Sequence, residues 1–463
     1  MTRKTRKPVT VGFIALGCPK NLVDSEKMLA EIAQAGLVIS AEPEQADIVI
    51  VNTCGFIAPA KEESLEAIRN AVTAKEKGNV RKVIVAGCLS QRLGMELLNE
   101  VRGIDAVVGL EQRDAIVRII QETLVSEKPS VYLGPVPCSV VDDRVRLRIG
   151  PAHSAYLRVS EGCNHRCSFC TIPAIRGPYR SKPPEMILDE ARELVSSGAV
   201  ELNLIGQDTT GYGRDMRMKD GLVHLLAEME EIPDLAWIRL LYAYPTGITK
   251  ALMTTLADSR KVLHYLDIPI QHASDKILKA MRRPDTHRRL RMLIESLRSA
   301  IPDIILRTTL IVGFPGETQA EFEELLEFVR WAQFDALGAF TFYPEEGTPA
   351  ASFPNQVSDE TRQARLDELM LAQQEIAFSK GRRRIGSHVT CLIDSLESDG
   401  VARGRFYGQA PDIDSVCIVK GSKATRRSAS KPSRRLSPKP APGKFIEGTV
   451  TGTQDYDLLV EQI

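Results

Sequence analysis

Three cysteines, Cys163, Cys167 and Cys170, stand in the stretch EGCNHRCSFC with the spacing C-x3-C-x2-C. Thiolates are soft ligands that hold iron–sulfur clusters or zinc. A 4Fe-4S cube has four irons, and three thiolates at this spacing hold three of them, leaving the fourth open to a small molecule. A structural zinc site takes four protein ligands instead. His165 lies in the same stretch and offers a fourth, but between two cysteines a tight loop aims its ring elsewhere. The cluster is therefore the favoured reading and the zinc loop its alternative.

A second set of cysteines is spread more widely. Cys18, Cys54 and Cys88 each close an apolar, β-branched run: VTVGFIALGC, ADIVIVNTC and RKVIVAGC. Such runs are strands buried on both faces of a parallel sheet. Helical stretches, 21–35 and 58–77, separate them, which makes β-α-β-α-β and an open, doubly wound α/β unit. Ligands of such sheets bind beyond the carboxyl ends of the strands. One cysteine there is ordinary packing; three at near-equal intervals point to a second trio of thiolate ligands. Cys138 fits neither trio, and Cys391 and Cys417 alternate with apolar residues as core cysteines do.

The elements that must carry the first trio follow it along the chain. Strand patterns lie near 155–160, 200–205, 237–244, 262–270, 304–312 and 336–342, with helices between, one of them PPEMILDEARELVSSG at 183–198. Six β/α units fall short of the eight of a closed barrel and predict a partial (β/α)6 barrel open on one side. Cys163, Cys167 and Cys170 follow its first strand, on the face where barrel enzymes keep their chemistry. IGQDTTGYG, YAYP, IPIQHAS and IVGFPGET end other strands, and their glycines let backbone approach a ligand. Arg176, in the cysteine loop, is expected to face either a bound ligand or solvent. An amphipathic helix at 358–383 leads to five short β-type runs with glycine turns, a small closed barrel of the oligonucleotide-binding type. The fold class is thus α/β with a small C-terminal β-barrel, and the expected units are 8–125, 149–380 and 383–463.

Composition sets the surroundings. With 463 residues, 43% hydrophobic and 26% charged, the chain has material for several cores. Nine cysteines are too few for a disulfide scaffold, and six with a metal logic imply a reducing cytoplasm. The start, MTRKTRKP before a short apolar run, imitates a lipoprotein signal, but Gly12 interrupts the run and it reads equally as a core strand. No run reaches the ~18 apolar residues of a membrane span. Net charge is zero, yet 415–446 holds nine basic residues and no acidic one. Its centre, the Ser-, Pro-, Lys- and Arg-rich segment 421–444, is expected to be a disordered insertion. The rest of the small barrel, 385–414 and 445–463, carries two basic and nine acidic residues. An RNA-reading barrel is basic; an acidic one suits a basic protein partner.

Taken together, the chain resembles the methylthiotransferase family of the radical S-adenosylmethionine (SAM) superfamily. The superfamily's C-x3-C-x2-C signature has an aromatic residue, here Phe169, before its last cysteine. GCPKNLVDSE, EGCNHRCSFCTIPAIRGPYRSKP, IGQDTTGYG, YLDIPIQHAS, MRRP, IVGFPGET and EEGTPA all look like family motifs. The resemblance implies a methylthiotransferase domain, a radical SAM core and a TRAM barrel, in that order. It implies two 4Fe-4S clusters, with SAM on the open iron of the Cys163/Cys167/Cys170 cluster. The Cys18/Cys54/Cys88 cluster would be an auxiliary one carrying the methylthio sulfur. Phe169, Gly206, Gln207 and Gly313 become candidate SAM contacts, and Arg176 a possible catalytic residue. CPKN, the QDTT stretch and GRFYGQAPDID are similar to the branch that modifies an aspartate β-carbon of ribosomal protein S-12, using one SAM as radical source and another as methyl donor. Implied partners are S-12, free or in the small subunit, an external one-electron reductant such as a flavodoxin, and ribosomal RNA through 421–444. The competing readings are the same chemistry on a tRNA adenosine, for which the basic segment speaks, and a non-catalytic iron–sulfur or zinc protein that binds RNA.

Overall fold

A computed structural model describes residues 8–397, 400–420 and 439–463. The first unit is an all-parallel six-stranded sheet. Its strands are β1 Thr10–Ala15, β2 Val38–Ser40, β3 Ile48–Thr53, β4 Lys82–Gly87, β5 Ala106–Val108 and β6 Ser130–Tyr132, in the order β2-β1-β3-β4-β5-β6. Val49 and Val51 of β3 pack against Leu65 and Ile68 of the helix Ala58–Glu76. Their neighbours Ile48 and Ile50 pack on the other side, against Met28 and Ile32 of the helix Pro19–Gln34. Burial on both faces is why these strands read as unbroken apolar runs. The strand order reverses between β1 and β3, which opens a crevice at their carboxyl ends. β2, β5 and β6 have three residues each, too few to show a period, and β6 carries the sheet past residue 125, where the sequence pattern closes the unit.

The second unit contains the six expected strands: β7 Ser154–Arg158, and, after the short pair β8 Ser160–Glu161 and β9 Arg180–Ser181, β10 Glu201–Ile205, β11 Trp237–Leu240, β12 Val262–Asp267, β13 Ile305–Val312 and β14 Ala336–Thr341. β7 and β10 to β14 form one open parallel sheet in sequence order. One face is apolar: Leu157, Leu202, Leu204, Ile238, Leu240 and Leu306 lie under helices such as Pro184–Ser196. The other face bears Arg158, Glu201, Arg239 and Asp267, all buried.

The C-terminal unit covers part of that charged face. β15 His388–Leu396, β16 Ala402–Arg405, β17 Cys417–Lys420, β18 Phe445–Gln454 and β19 Asp457–Gln462 close a barrel in the order β15-β16-β17-β19-β18. Cys391 and Cys417 are fully buried in its core. Arg405 reaches Glu201 at 2.8 Å, beside the Arg239–Glu201 pair at 2.9 Å. Tyr265 donates to Asp414 at 2.7 Å and Tyr156 to Asp412 at 2.9 Å. The acidic count of the barrel therefore overstates its outer surface, because Asp394, Asp412 and Asp414 bond to the central unit. Glu397, Glu447, Asp455 and Glu461 remain exposed. Residues 1–7, where the signal-like start lies, and most of the basic insertion, 421–438, fall outside the described residues. The end of the segment 421–444 is not disordered: the amide of Gly443 donates to the Ile393 carbonyl at 2.8 Å, and the Ile393 amide to Lys444 at 3.0 Å. Among the described residues no helix is long and apolar enough to cross a membrane.

Glu201 gives a stability test. Burial alone pushes its pKa up, but Arg405 and Arg239 outweigh burial and bring it from the ordinary 4.5 to about 2. Its stabilisation is complete above the unfolded value and disappears as pH falls toward about 2. Glu201→Ala leaves two buried guanidinium groups unpaired and is expected to lower unfolding free energy by about 3–5 kcal/mol, read as a lower urea midpoint at neutral pH.

Candidate active site

The trio Cys18, Cys54 and Cys88 lines the crevice of the N-terminal sheet. Cys18 caps the helix Pro19–Gln34, Cys54 follows β3, and Cys88 opens the helix Cys88–Leu93 after β4. Gly17 has φ +90°, and a Cβ there would stand 2.8 Å from the Cys54 Cβ and 3.2 Å from its Sγ. Only glycine lets the two strand ends come this close. Burial pushes the Cys88 thiol up to about 12; Arg176 opposes the rise, and Cys18 and Cys54 add to it. Burial also raises Cys54, again with Cys18 adding to the rise. The three thiols thus feel one another's charge.

The trio Cys163, Cys167 and Cys170 sits in a loop pinned at its neck by the antiparallel pair β8 and β9. The Cys163 amide donates to the Gly177 carbonyl at 3.1 Å, and Ser168 bonds Met281 and Ala280 at 3.1 and 2.7 Å. Burial raises Cys163 to about 11 and Cys170 to about 12. Arg283 lies beside these thiols and opposes the burial-driven rise at each of the three. His165 does point elsewhere: its Nε2 meets Asp208 at 2.8 Å and its ring stacks on Tyr244 with centroids 3.7 Å apart. That removes it from a zinc set. Among the described residues no three His, Cys, Asp or Glu side chains close on one point as around a single ion. A cube takes its thiolates on three separate irons, so its ligands stand further apart. The Tyr244 hydroxyl and the Gln207 amide oxygen are buried without a hydrogen-bond partner among the described residues. Buried polar atoms of that kind call for a ligand or water. Three soft donors per site and unpaired polar atoms beside them fit a cluster with a polar small molecule.

Arg176 joins the two trios. It is 2% exposed, so it does not face solvent, the second of the two sequence expectations. Its guanidinium lies 3.3 Å from the Cys88 sulfur, 3.0 Å from Asp24 and 3.0 Å from Glu161, two residues before Cys163. Burial would weaken its charge, but Cys88, Glu161 and Asp24 together raise its pKa well above the ordinary value. The tip after β11 spans the same gap. Burial and the nearby Cys18 raise the Tyr242 hydroxyl, and burial raises that of Tyr244, which stands near Cys167 and Arg283. Tyr242 has φ +58°, rare for an aromatic residue, and its amide is held by Asp267 at 3.1 Å. Lys20, 5% exposed, places its ammonium 3.3 Å above the Tyr242 ring.

The remaining candidates divide. Gln207 lies in this region and donates to Glu161 at 3.1 Å. Phe169 packs edge-on to Phe314 in an apolar cluster. Gly206 is glycine because a Cβ would meet the Ser160 Oγ at 2.5 Å. Gly313 has φ +71°, and a Cβ would strike Arg362 at 2.2 Å. Packing fixes the place of all three. Cys138 is exposed and joins neither trio. Lys20, Glu161, Tyr242, Tyr244 and Arg283 all lie inside recognisable motifs, but nothing in their spacing announces that they meet.

Comparison with known proteins supplies the family. Residues 157–329 match the Radical SAM superfamily, 10–109 the Uncharacterized protein family UPF0004, and 385–463 the TRAM domain. A protein of Geobacter sulfurreducens named ribosomal protein uS12 methylthiotransferase RimO is 44% identical, over 98% of both chains. The chain belongs to the RimO methylthiotransferase family. Another RimO relative, from Syntrophomonas wolfei, is 43% identical over 98% of this chain and all of its own. The fold is also that of the radical SAM methyltransferase TsrM from Kitasatospora setae, at TM-score 0.52 and 15% identity, covering 74% of this chain and 77% of that one.

Two outcomes follow for the RimO-family trios. Replacing Cys18, Cys54 and Cys88 together by alanine is expected to halve bound iron from about eight per chain, measured after anaerobic reconstitution; unchanged iron would mean that these cysteines only pack. Metal uptake must displace protons from thiols whose pKa values lie above neutrality. The thiolate fraction rises with pH in that range, so the rate of cluster formation should climb between pH 7 and pH 9, followed by visible absorbance.

Proposed function

We propose that this chain is a radical SAM methylthiotransferase that adds a methylthio group to the β-carbon of an aspartate in ribosomal protein S-12. The observation that carries the reading is a buried arginine, Arg176, that touches both Cys88 of one trio and Glu161 at the neck of the other. Two sites tied this closely suit a reaction in which hydrogen removal and sulfur delivery occur at the same carbon. Cys163, Cys167 and Cys170 would hold one 4Fe-4S cluster together with SAM, and Cys18, Cys54 and Cys88 the auxiliary cluster. Bound there, the clusters and SAM supply the radical that removes hydrogen from an unactivated carbon and the methylthio group that replaces it.

The chain's own residues bind, orient and exclude water. Arg176 and Arg283 place positive charge beside the thiolates of each site. Gln207 and Tyr244 offer their unpaired polar atoms to the amino, carboxylate or ribose groups of SAM. Asp208 fixes His165, which in turn stacks on Tyr244 and holds its ring in place. The exposed acids of the barrel, Glu397, Glu447, Asp455 and Glu461, suit a basic ribosomal protein, free or within the small subunit. A one-electron reductant such as a flavodoxin completes the system, and the basic residues of 421–444 would touch ribosomal RNA.

Mass spectrometry of S-12 and of tRNA from a strain lacking the gene tests the substrate: S-12 should lose its methylthio mass while tRNA is unchanged, and the reverse would reassign the chain. Cys163→Ala, Cys167→Ala or Cys170→Ala should abolish 5′-deoxyadenosine formation. Deleting 423–439 removes seven basic side chains, Lys423, Arg426, Arg427, Lys431, Arg434, Arg435 and Lys439. Binding to assembled subunits should weaken and lose part of its salt dependence, while modification of free S-12 persists.

A further inference from the structure

The target of the proposed reaction carries its own handle. The reacting β-carbon of an aspartate is bonded directly to the carboxylate, so whatever holds that carboxylate also places the carbon. A cation in the gap between the trios is the group to look for.

Lys20 is such a cation. It lies in the first turn of the helix that Cys18 caps, and its charged surroundings are Cys18, Arg176, Glu161 and Asp267. Both acids are already engaged: Glu161 by Arg158 and Arg176 at 2.5 and 3.0 Å, Asp267 by Arg307 at 3.0 Å. Among the described residues no carboxylate lies within ion-pair distance of the Lys20 ammonium, although the residue is 5% exposed. A buried ammonium that no carboxylate pairs directly is costly. The aromatic face of Tyr242, 3.3 Å away, is what steadies it. Tyr242 is itself held in a left-handed conformation by Asp267, and strained backbone of this kind collects where a ligand is gripped. Tyr242 stands near Cys18, and Tyr244, two residues on, near Cys167, so Lys20 sits over the tip that spans both trios.

We propose that Lys20 recognises the target side chain: its ammonium pairs with the aspartate carboxylate and holds the adjacent β-carbon between the two trios. A charge-assisted bond of about 2.8 Å puts that carbon roughly 4–5 Å from Nζ. The neutral amide of an asparagine supplies no counter-charge, so Lys20 also selects aspartate over asparagine. Sites built around a buried charged partner reject the uncharged analogue strongly. This inference rests on the S-12 reading above.

The test compares holoenzymes, wild type, Lys20→Met, Lys20→Gln and Lys20→Arg, on S-12 and on S-12 whose target aspartate is replaced by asparagine. Wild type should prefer the aspartate form by at least about 30-fold in kcat/KM. Lys20→Met and Lys20→Gln should lose about 30- to 100-fold on the aspartate form, bringing the two substrates close to parity, with iron content and the KM for SAM unchanged. Lys20→Arg should keep the preference for aspartate at a lower rate. An unchanged preference in Lys20→Met and Lys20→Gln overturns the proposal. So does an equal loss on both substrates together with lost iron, which would make Lys20 a support of the Cys18 site. A wild-type enzyme that leaves S-12 unmodified defeats the functional reading itself, and this inference with it.

Discussion

Charge buried between the N-terminal and central units governs the rest of the structure. Asp143, with no exposed surface, meets Arg113 at 2.8 Å, Arg158 at 2.6 Å and Lys182 at 2.6 Å. Arg158 continues to Asp24 and Glu161, Arg146 ties Glu26 to Glu190, and Lys182 also reaches Glu190. Burial alone would raise the Asp24 and Glu161 carboxyls, yet the surrounding arginines hold both below the ordinary range. Desolvating so many ions is repaid only when every partner is present at good geometry. The network therefore tolerates one relative placement of the two units, and that placement sets the gap between the trios.

The site inherits its character from this arrangement. Arg176 is at once a member of the network, through Asp24 and Glu161, and a neighbour of the Cys88 sulfur. Its charge offsets part of the burial cost of a thiolate that otherwise titrates far above neutrality. Arg283, which also covers the face of Tyr244 at 4.4 Å, does the same for Cys163, Cys167 and Cys170. The two sites are thus poised alike, each a set of buried and half-buried thiols beside one arginine, and each arginine is fixed by contacts outside the site.

The C-terminal barrel has a part in holding the open sheet together. A six-stranded partial barrel exposes an inner face that a complete barrel fills with its own side chains. Here Arg405, Asp412 and Asp414 complete that inner face, pairing with Glu201, Tyr156 and Tyr265. The barrel's acidic residues are thus divided between packing against the open sheet and the outer surface.

The cysteine positions, the strands that carry them and the order of the three units were legible in the sequence, because buried parallel strands and thiolate spacing leave local patterns. One trio lies in one short loop and shows in its own spacing; the other shows because each of its cysteines closes a buried strand. The three-residue strands β2, β5 and β6 were not legible, since so short a run has no period. Nor were the roles of Lys20, Tyr242, Arg176 and Arg283. Arg176 read as a loop arginine facing a ligand or water, yet its partners Asp24 and Cys88 are far away in the chain. Sequence shows which groups are present near a motif. Which charges share a buried space depends on contacts between distant segments, and only the packing of three units against one another decides that.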